Sequence, residues 1–235
     1  HDHVTRQPGS FAATMQGIAY LREAGAGFTV QVIPMRANHH QYEAMLDLAR
    51  SVSPRYRLGA PWLWLSACRS EARNREIAEQ RLDPADAIAL DPPDPAAGLV
   101  KSLDREATAQ APTCGAAPAG DRLFGACIPG RRDFHVDPYG GMSFCCFVQD
   151  PALRYDLRRG SFRQAWDEFL PSLADAVHGG QEYEDNCGSC DLRGDCRWCA
   201  VYGYLEHGRY SARVDYLCGI AAEARRFKEE WKRSH

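Results

Sequence analysis

Four cysteines fall within thirteen residues, Cys187-Gly-Ser-Cys190-Asp-Leu-Arg-Gly-Asp-Cys196-Arg-Trp-Cys199, and a fifth follows at Cys218. Two residues between paired thiols let both sulfurs reach one centre without backbone strain. Two such pairs five residues apart suit a metal ion, an iron–sulfur cluster or a disulfide knot. Zinc is closed by one set of four ligands, and these five thiols already exceed it. Five more, Cys68, Cys114, Cys127, Cys145 and Cys146, bring the total to ten. Iron–sulfur clusters take four cysteines each, so ten thiols are enough for two clusters with two left over.

Compartment bears on this choice. Disulfides persist where conditions are oxidising and concentrate in domains too small to build a core. A chain of 235 residues that is 45% hydrophobic can bury a large core. It shows no charged-then-apolar leader and no long apolar run, so it reads as cytoplasmic, with no membrane partner. A net charge of −3 argues against a nucleic-acid surface. Cluster, zinc and disulfide readings all stay open on spacing alone. The chain opens at His1-Asp2-His3 without an initiator methionine and enters a helix signal at once, as a piece of a longer protein would.

The elements that must carry these thiols differ between the two halves. In the first, Ser10 is placed to cap a helix over 11–24 in which Phe11, Met15, Ile18 and Leu21 recur at helical spacing, and Gly25 stops it. Phe28 to Met35 reads as a buried strand. Asn38 with Gln41 predicts a capping box for a helix that buries Tyr42, Met45, Ala49 and Val52. Tyr56 to Leu65 is the next strand, and a third helix is expected over 72–82, before the Asp83-Pro84 cap. Helix, strand, helix, strand is the order of a parallel sheet. Asp91-Pro-Pro-Asp-Pro95 has the composition of a linker.

From Cys114 to Cys218 lie nine of the ten cysteines. Phe134 to Phe144 predicts a hairpin that turns at Asp137 to Gly141 and delivers Cys145 at its end. Helices follow over 161–177 and 219–232, the second with Ile220, Ala224, Phe227 and Trp231 on one side.

Cys127, twelve residues, Gly140, four residues, Cys145, a gap, the Cys187-to-Cys199 motif and Cys218 together resemble the seven-cysteine signature of the SPASM domain. That domain extends many radical S-adenosylmethionine (SAM) enzymes that modify peptides and proteins. The first half is similar to the later strands of their partial barrel. The implied fold is α/β: 1–105 the C-terminal part of a (β/α)6 radical SAM barrel, 106–235 the cysteine-rich SPASM domain. The family usually has three residues between the last two cysteines of the central motif, where this chain has Arg197 and Trp198.

By resemblance, Cys187, Cys190, Cys196 and Cys218 would hold one auxiliary [4Fe–4S] cluster. Cys127, Cys145 and Cys199 would hold a second, completed by Cys114. Cys146 is the other nominee for that place, although adjacent thiols on an extended strand point to opposite sides. Facing a cavity, Cys146 could instead give a hydrogen atom to a substrate radical. Where a sulfatase-maturing relative has a catalytic carboxylate after the cysteine, this chain has Cys146, which disfavours that activity. Cys68 reads as a small buried apolar residue.

The Cys-x3-Cys-x2-Cys loop that binds the catalytic cluster and S-adenosylmethionine does not occur in the sequence. The resemblance therefore implies the C-terminal portion of a maturase, inactive by itself, whose longer parent carries that third [4Fe–4S] cluster and cleaves the cofactor to start radical chemistry. Met35, Arg36, Asn38, Trp62 and Trp64, at the ends of barrel strands, would line the cofactor wall. A peptide or protein substrate and an electron donor such as a flavodoxin or ferredoxin are the implied partners. A zinc-loaded binding module and a non-catalytic electron-transfer unit are the alternatives.

Overall fold

Helical spacing and turn chemistry govern where the elements lie. A computed structural model describes residues 1–58, 63–93, 120–131 and 133–234. Trp62 and Cys114 lie outside the described residues. Helix α1, Ser10–Glu23, follows Gly9 and ends before Gly25, whose φ of +64° reverses the chain. Its cap is not Ser10. The Asp2 carboxylate accepts the Gly9 and Phe11 N–H groups, both at 2.7 Å, and the Ser10 hydroxyl at 2.9 Å. These bonds hold the Asp2 carboxyl below its ordinary value.

Strand β1, Val30–Val32, pairs in parallel with β2, Tyr56–Leu58, and helix α2, Tyr42–Val52, crosses between them. Val32, Leu46 and Ala49 form the small core beneath. No capping box starts α2. Asn38 instead ties its own loop, accepting the Met35 N–H at 2.7 Å and donating to the Ile33 carbonyl at 3.1 Å. A single 3-10 turn, His39–Gln41, precedes the helix.

A larger core takes in the rest of the described chain. Helices α3, Glu71–Glu79, and α4, Pro84–Leu90, come from the first half. Leu65, Leu82, Ala87 and Ile88 nevertheless pack with Phe124, Met142, Leu170, Tyr202, Leu217 and Ile220 of the cysteine-rich half. Each fully buried side chain of this size contributes roughly 1.5–3 kcal/mol. The hairpin is β3, His135–Val136, and β4, Gly141–Ser143, with β5, Tyr155–Asp156, added antiparallel to β4. Asp137 shapes its turn, accepting the Tyr139 and Gly141 N–H groups at 2.8 Å, and Gly140 takes a φ of +85°.

The expected single helix over 161–177 is broken. Ser161 and Gln164 form a capping box at Phe162–Gln164, and the backbone then widens into a π-turn over Ala165–Phe169. Pro171 is the cause, since it lacks the N–H that would continue the ladder. Helix α5 is Ala200–His207 and helix α6 Asp215–Ser234, four residues earlier in its start than its apolar spacing indicated. Among the described residues no helix is long and apolar enough to cross a membrane.

Asp91 ends α4 at 5% exposure, with Oδ1 lacking a hydrogen-bond partner among the described residues. Burial lifts its pKa to about 7, against the pull of Arg197. The folded chain thus keeps a proton that the unfolded chain releases near the ordinary carboxylate value. Stability should fall as pH rises through that interval, by roughly 2–4 kcal/mol between pH 4 and pH 8. Denaturant titrations of Asp91→Asn should show most of that fall abolished. An unchanged slope would place the titration elsewhere.

Candidate metal-cluster sites

The loop from Cys187 to Cys199 is docked on helix α6, which carries Cys218. Asp195 is the main anchor: it accepts from Lys228 Nζ at 2.5 Å and Arg225 Nε at 3.1 Å. Burial raises the Asp195 pKa, but the two cations outweigh it and hold the carboxyl below its usual range. Arg225 also pairs with Asp191 at 2.8 Å. Inside the loop, the buried Trp198 indole N–H donates to the Ala212 carbonyl at 2.8 Å, and the Trp198 backbone N–H faces Cys196 Sγ at 3.4 Å.

Cys187 sits on a π-turn, Glu184–Gly188, that projects its thiol inward, and Arg193 Nη1 braces the turn by donating to the Cys187 carbonyl at 2.6 Å. Cys187, Cys190, Cys196 and Cys218 all line one cavity of about 260 Å³, together with Arg193, Arg213, Trp198 and Val214. Burial pushes the Cys187 thiol up to about 11, and the neighbouring Cys196, Cys218 and Cys190 sulfurs push the same way. Cys196 is raised for the same first reason. Thiols in such surroundings hold their protons until a cation replaces them, which is how metal affinity becomes pH-dependent.

Cys199 is three residues from Cys196 but belongs to a different set. It stands at the start of helix α5, and its sulfur interacts with those of Cys127 and Cys145. Burial pushes it up to about 12, with the Tyr202 and Val201 N–H groups pulling it down. Cys127 comes from the turns over 120–130, and Cys145 follows β4, where Ser143 Oγ donates to its carbonyl at 2.9 Å. Between the two, Trp198 is buried at 7% exposure, and Cys196 lines the cavity of the first set while Cys199 does not.

Among the described residues no two cysteines are joined by a disulfide. Among the described residues, no three His, Cys, Asp or Glu side chains close tightly enough to hold a single metal ion. Zinc would need sulfurs drawn to about 2.3 Å from one point. Cys187, Cys190, Cys196 and Cys218 instead share one cavity of about 260 Å³. A four-thiolate cluster fits that donor set by chemistry and by room.

The other sequence-nominated residues divide. Met35 and Trp64 line one cleft of about 830 Å³ with Asp2, His3, Leu63 and Glu76. Arg36 points elsewhere, pairing with Asp83 at 2.7 Å and donating to the Arg81 carbonyl at 2.7 Å. Asn38 is a brace for its loop, as above. Cys146 is exposed. Cys68 is exposed as well, contrary to the buried role expected of it. It sits in the turn before α3, 2.9 Å from Ser66 Oγ, and hydrogen bonds from Ser66 and then the Ser70 N–H lower its thiol.

Spacing could not show the aromatic stack beside the cleft. Trp64 stacks on Tyr202 at 3.5 Å and on Phe147 at 4.5 Å between ring centroids. Tyr202 follows Cys199 by three residues and Phe147 follows Cys145 by two. Trp64 lines the cleft, and Tyr202 is near enough to Cys199 to feel its charge. Arg193 and Arg213 were missed for a similar reason, because no motif marks an arginine that faces a sulfur.

Comparison of the chain with known protein families, curated proteins and solved structures finds no match.

Proposed function

We propose that this chain is the auxiliary-cluster part of a radical SAM/SPASM enzyme that modifies a peptide or protein. Cys187, Cys190, Cys196 and Cys218 hold one [4Fe–4S] cluster. Cys127, Cys145 and Cys199 hold a second, with Cys114 as its fourth ligand. The observation that carries this reading is the sorting of the sulfurs: Cys199 leaves its sequence neighbours and joins Cys127 and Cys145. A lone zinc site built from the central motif would instead keep Cys187, Cys190, Cys196 and Cys199 together.

Bound clusters supply one-electron acceptance and donation, with flavodoxin or ferredoxin as the class of donor. The chain's own residues do the rest. The loop anchors at Asp195 and Trp198 fix where the thiolates point, much as outer residues orient ligands in other metal sites. The Trp64, Tyr202 and Phe147 rings stack beside the cleft, with Tyr202 next to Cys199. The cleft beside Trp64 is the place for the peptide. Initiation of the radical belongs to a cluster and S-adenosylmethionine bound by the Cys-x3-Cys-x2-Cys loop that this sequence does not contain.

The test is metal content. Reconstituted anaerobically with iron and sulfide, the chain should turn brown, absorb near 400 nm and take up about eight irons. A colourless protein that retains zinc would replace this reading with a zinc-loaded binding module.

A further inference from the structure

The cavity of the first set is not lined evenly. Arg213 and Arg193 both reach it, and they are differently employed. Arg193 donates to the Cys187 carbonyl and lies over the Tyr183 ring at 5.3 Å, and its charge acts on Cys187 and Cys196. Arg213 lies just before α6, with its Nε 2.8 Å from the Asp215 carboxylate. Its side chain and that of Cys218, one turn into that helix, line the same cavity, and the charge of the one acts on the other. Helix α5 helps to set this approach. A Cβ on Gly203 would lie 2.7 Å from the Ala212 carbonyl, so only glycine lets the segment leading to Arg213 pack directly on the helix backbone.

We propose that Arg213 sets the reduction potential of the cluster held by Cys187, Cys190, Cys196 and Cys218, by presenting its guanidinium N–H and positive charge to Cys218 Sγ at the cavity wall. This rests on the cluster reading above. Reduction takes the cluster from [4Fe–4S]2+ to [4Fe–4S]1+ with one electron from an external donor, and no bond is made or broken. The four thiolates make the site anionic, and the electron adds one more negative charge. A cation and an N–H donor at sulfur favour the reduced form and raise the potential. Arg213 is thus a positioning and tuning residue, not a catalytic one. Asp215 holds the guanidinium in place from the solvent side, where its own charge is screened.

The experiment is a redox titration of the reconstituted full chain with dithionite, followed by the electron paramagnetic resonance of the reduced clusters, after iron has been counted. Arg213→Gln should keep about eight irons, shift one cluster to a more negative potential and leave the other where it was. Arg213→Lys should fall between the two, since the charge stays and the planar fork is lost. Wild-type potentials for both clusters in the Gln variant would overturn the inference. So would loss of about four irons from both variants, because Arg213 would then be needed for assembly. A wild-type chain that takes up no iron would remove the cluster reading and this inference together; with iron bound, the potentials judge Arg213 alone.

Discussion

Changing Cys190 to Ala should halve the iron, from about eight to about four, and changing Cys199 to Ala should remove the other half. The two cysteines are separated by only eight residues, yet they stand in different sets. Cys190 faces the cavity shared with Cys187, Cys196 and Cys218, while Cys199 interacts with Cys127 and Cys145. Each single variant should therefore leave one spectroscopic species intact, and the double variant should have none. Because ligand binding and local folding are linked, the Cys190 variant should also gain protease sensitivity around 180–218. A double variant that loses no more iron than either single one would mean that both residues serve one site, and would sink the two-cluster arrangement.

A second large effect is expected at a buried ion pair that belongs to neither set of thiols. Arg81 and Glu206 are 7% and 14% exposed, with Nη2 2.5 Å from Oε1. Arg81 also donates to the Leu63 carbonyl through Nε at 3.1 Å and Nη2 at 2.8 Å, and lies over the Tyr216 ring at 4.8 Å. One guanidinium thus ties the end of α3 to the Leu63 backbone, to helix α5 and to helix α6. Arg81→Ala should cost about 3–5 kcal/mol in denaturant unfolding, since it strands Glu206 without its partner. The paired change Arg81→Met with Glu206→Leu should recover much of that, because two apolar side chains leave no charge to solvate. If the pair loses as much as the single variant, the bonds to Leu63 and the ring contact carry the stability instead.

Much of this was legible along the chain. Local periodicity and turn chemistry located the helices from Ser10, Tyr42, Glu71 and Pro84, the hairpin at Asp137 to Gly141, and the last helix. Those features depend on neighbours a few residues away, and so does the pairing of cysteines two residues apart. Capping was read less well. Asp2 stabilises the start of α1 from eight residues before Ser10, and Asn38 serves its own loop, because side chains reach whatever donor the fold brings near.

Tertiary structure decided three things that residue spacing does not carry. It put Cys199 close enough to Cys127 and Cys145 for their charges to act on it. It joined helices α3 and α4 of the first half to the core of the cysteine-rich half, where apolar area from both could leave water together. And it put Arg213 and Cys218 on one cavity wall, and stacked Trp64 of the cleft on Tyr202 and Phe147. Residue type and spacing record which atoms are available for ligation; which of them meet depends on packing between segments far apart in sequence, and no local pattern encodes that.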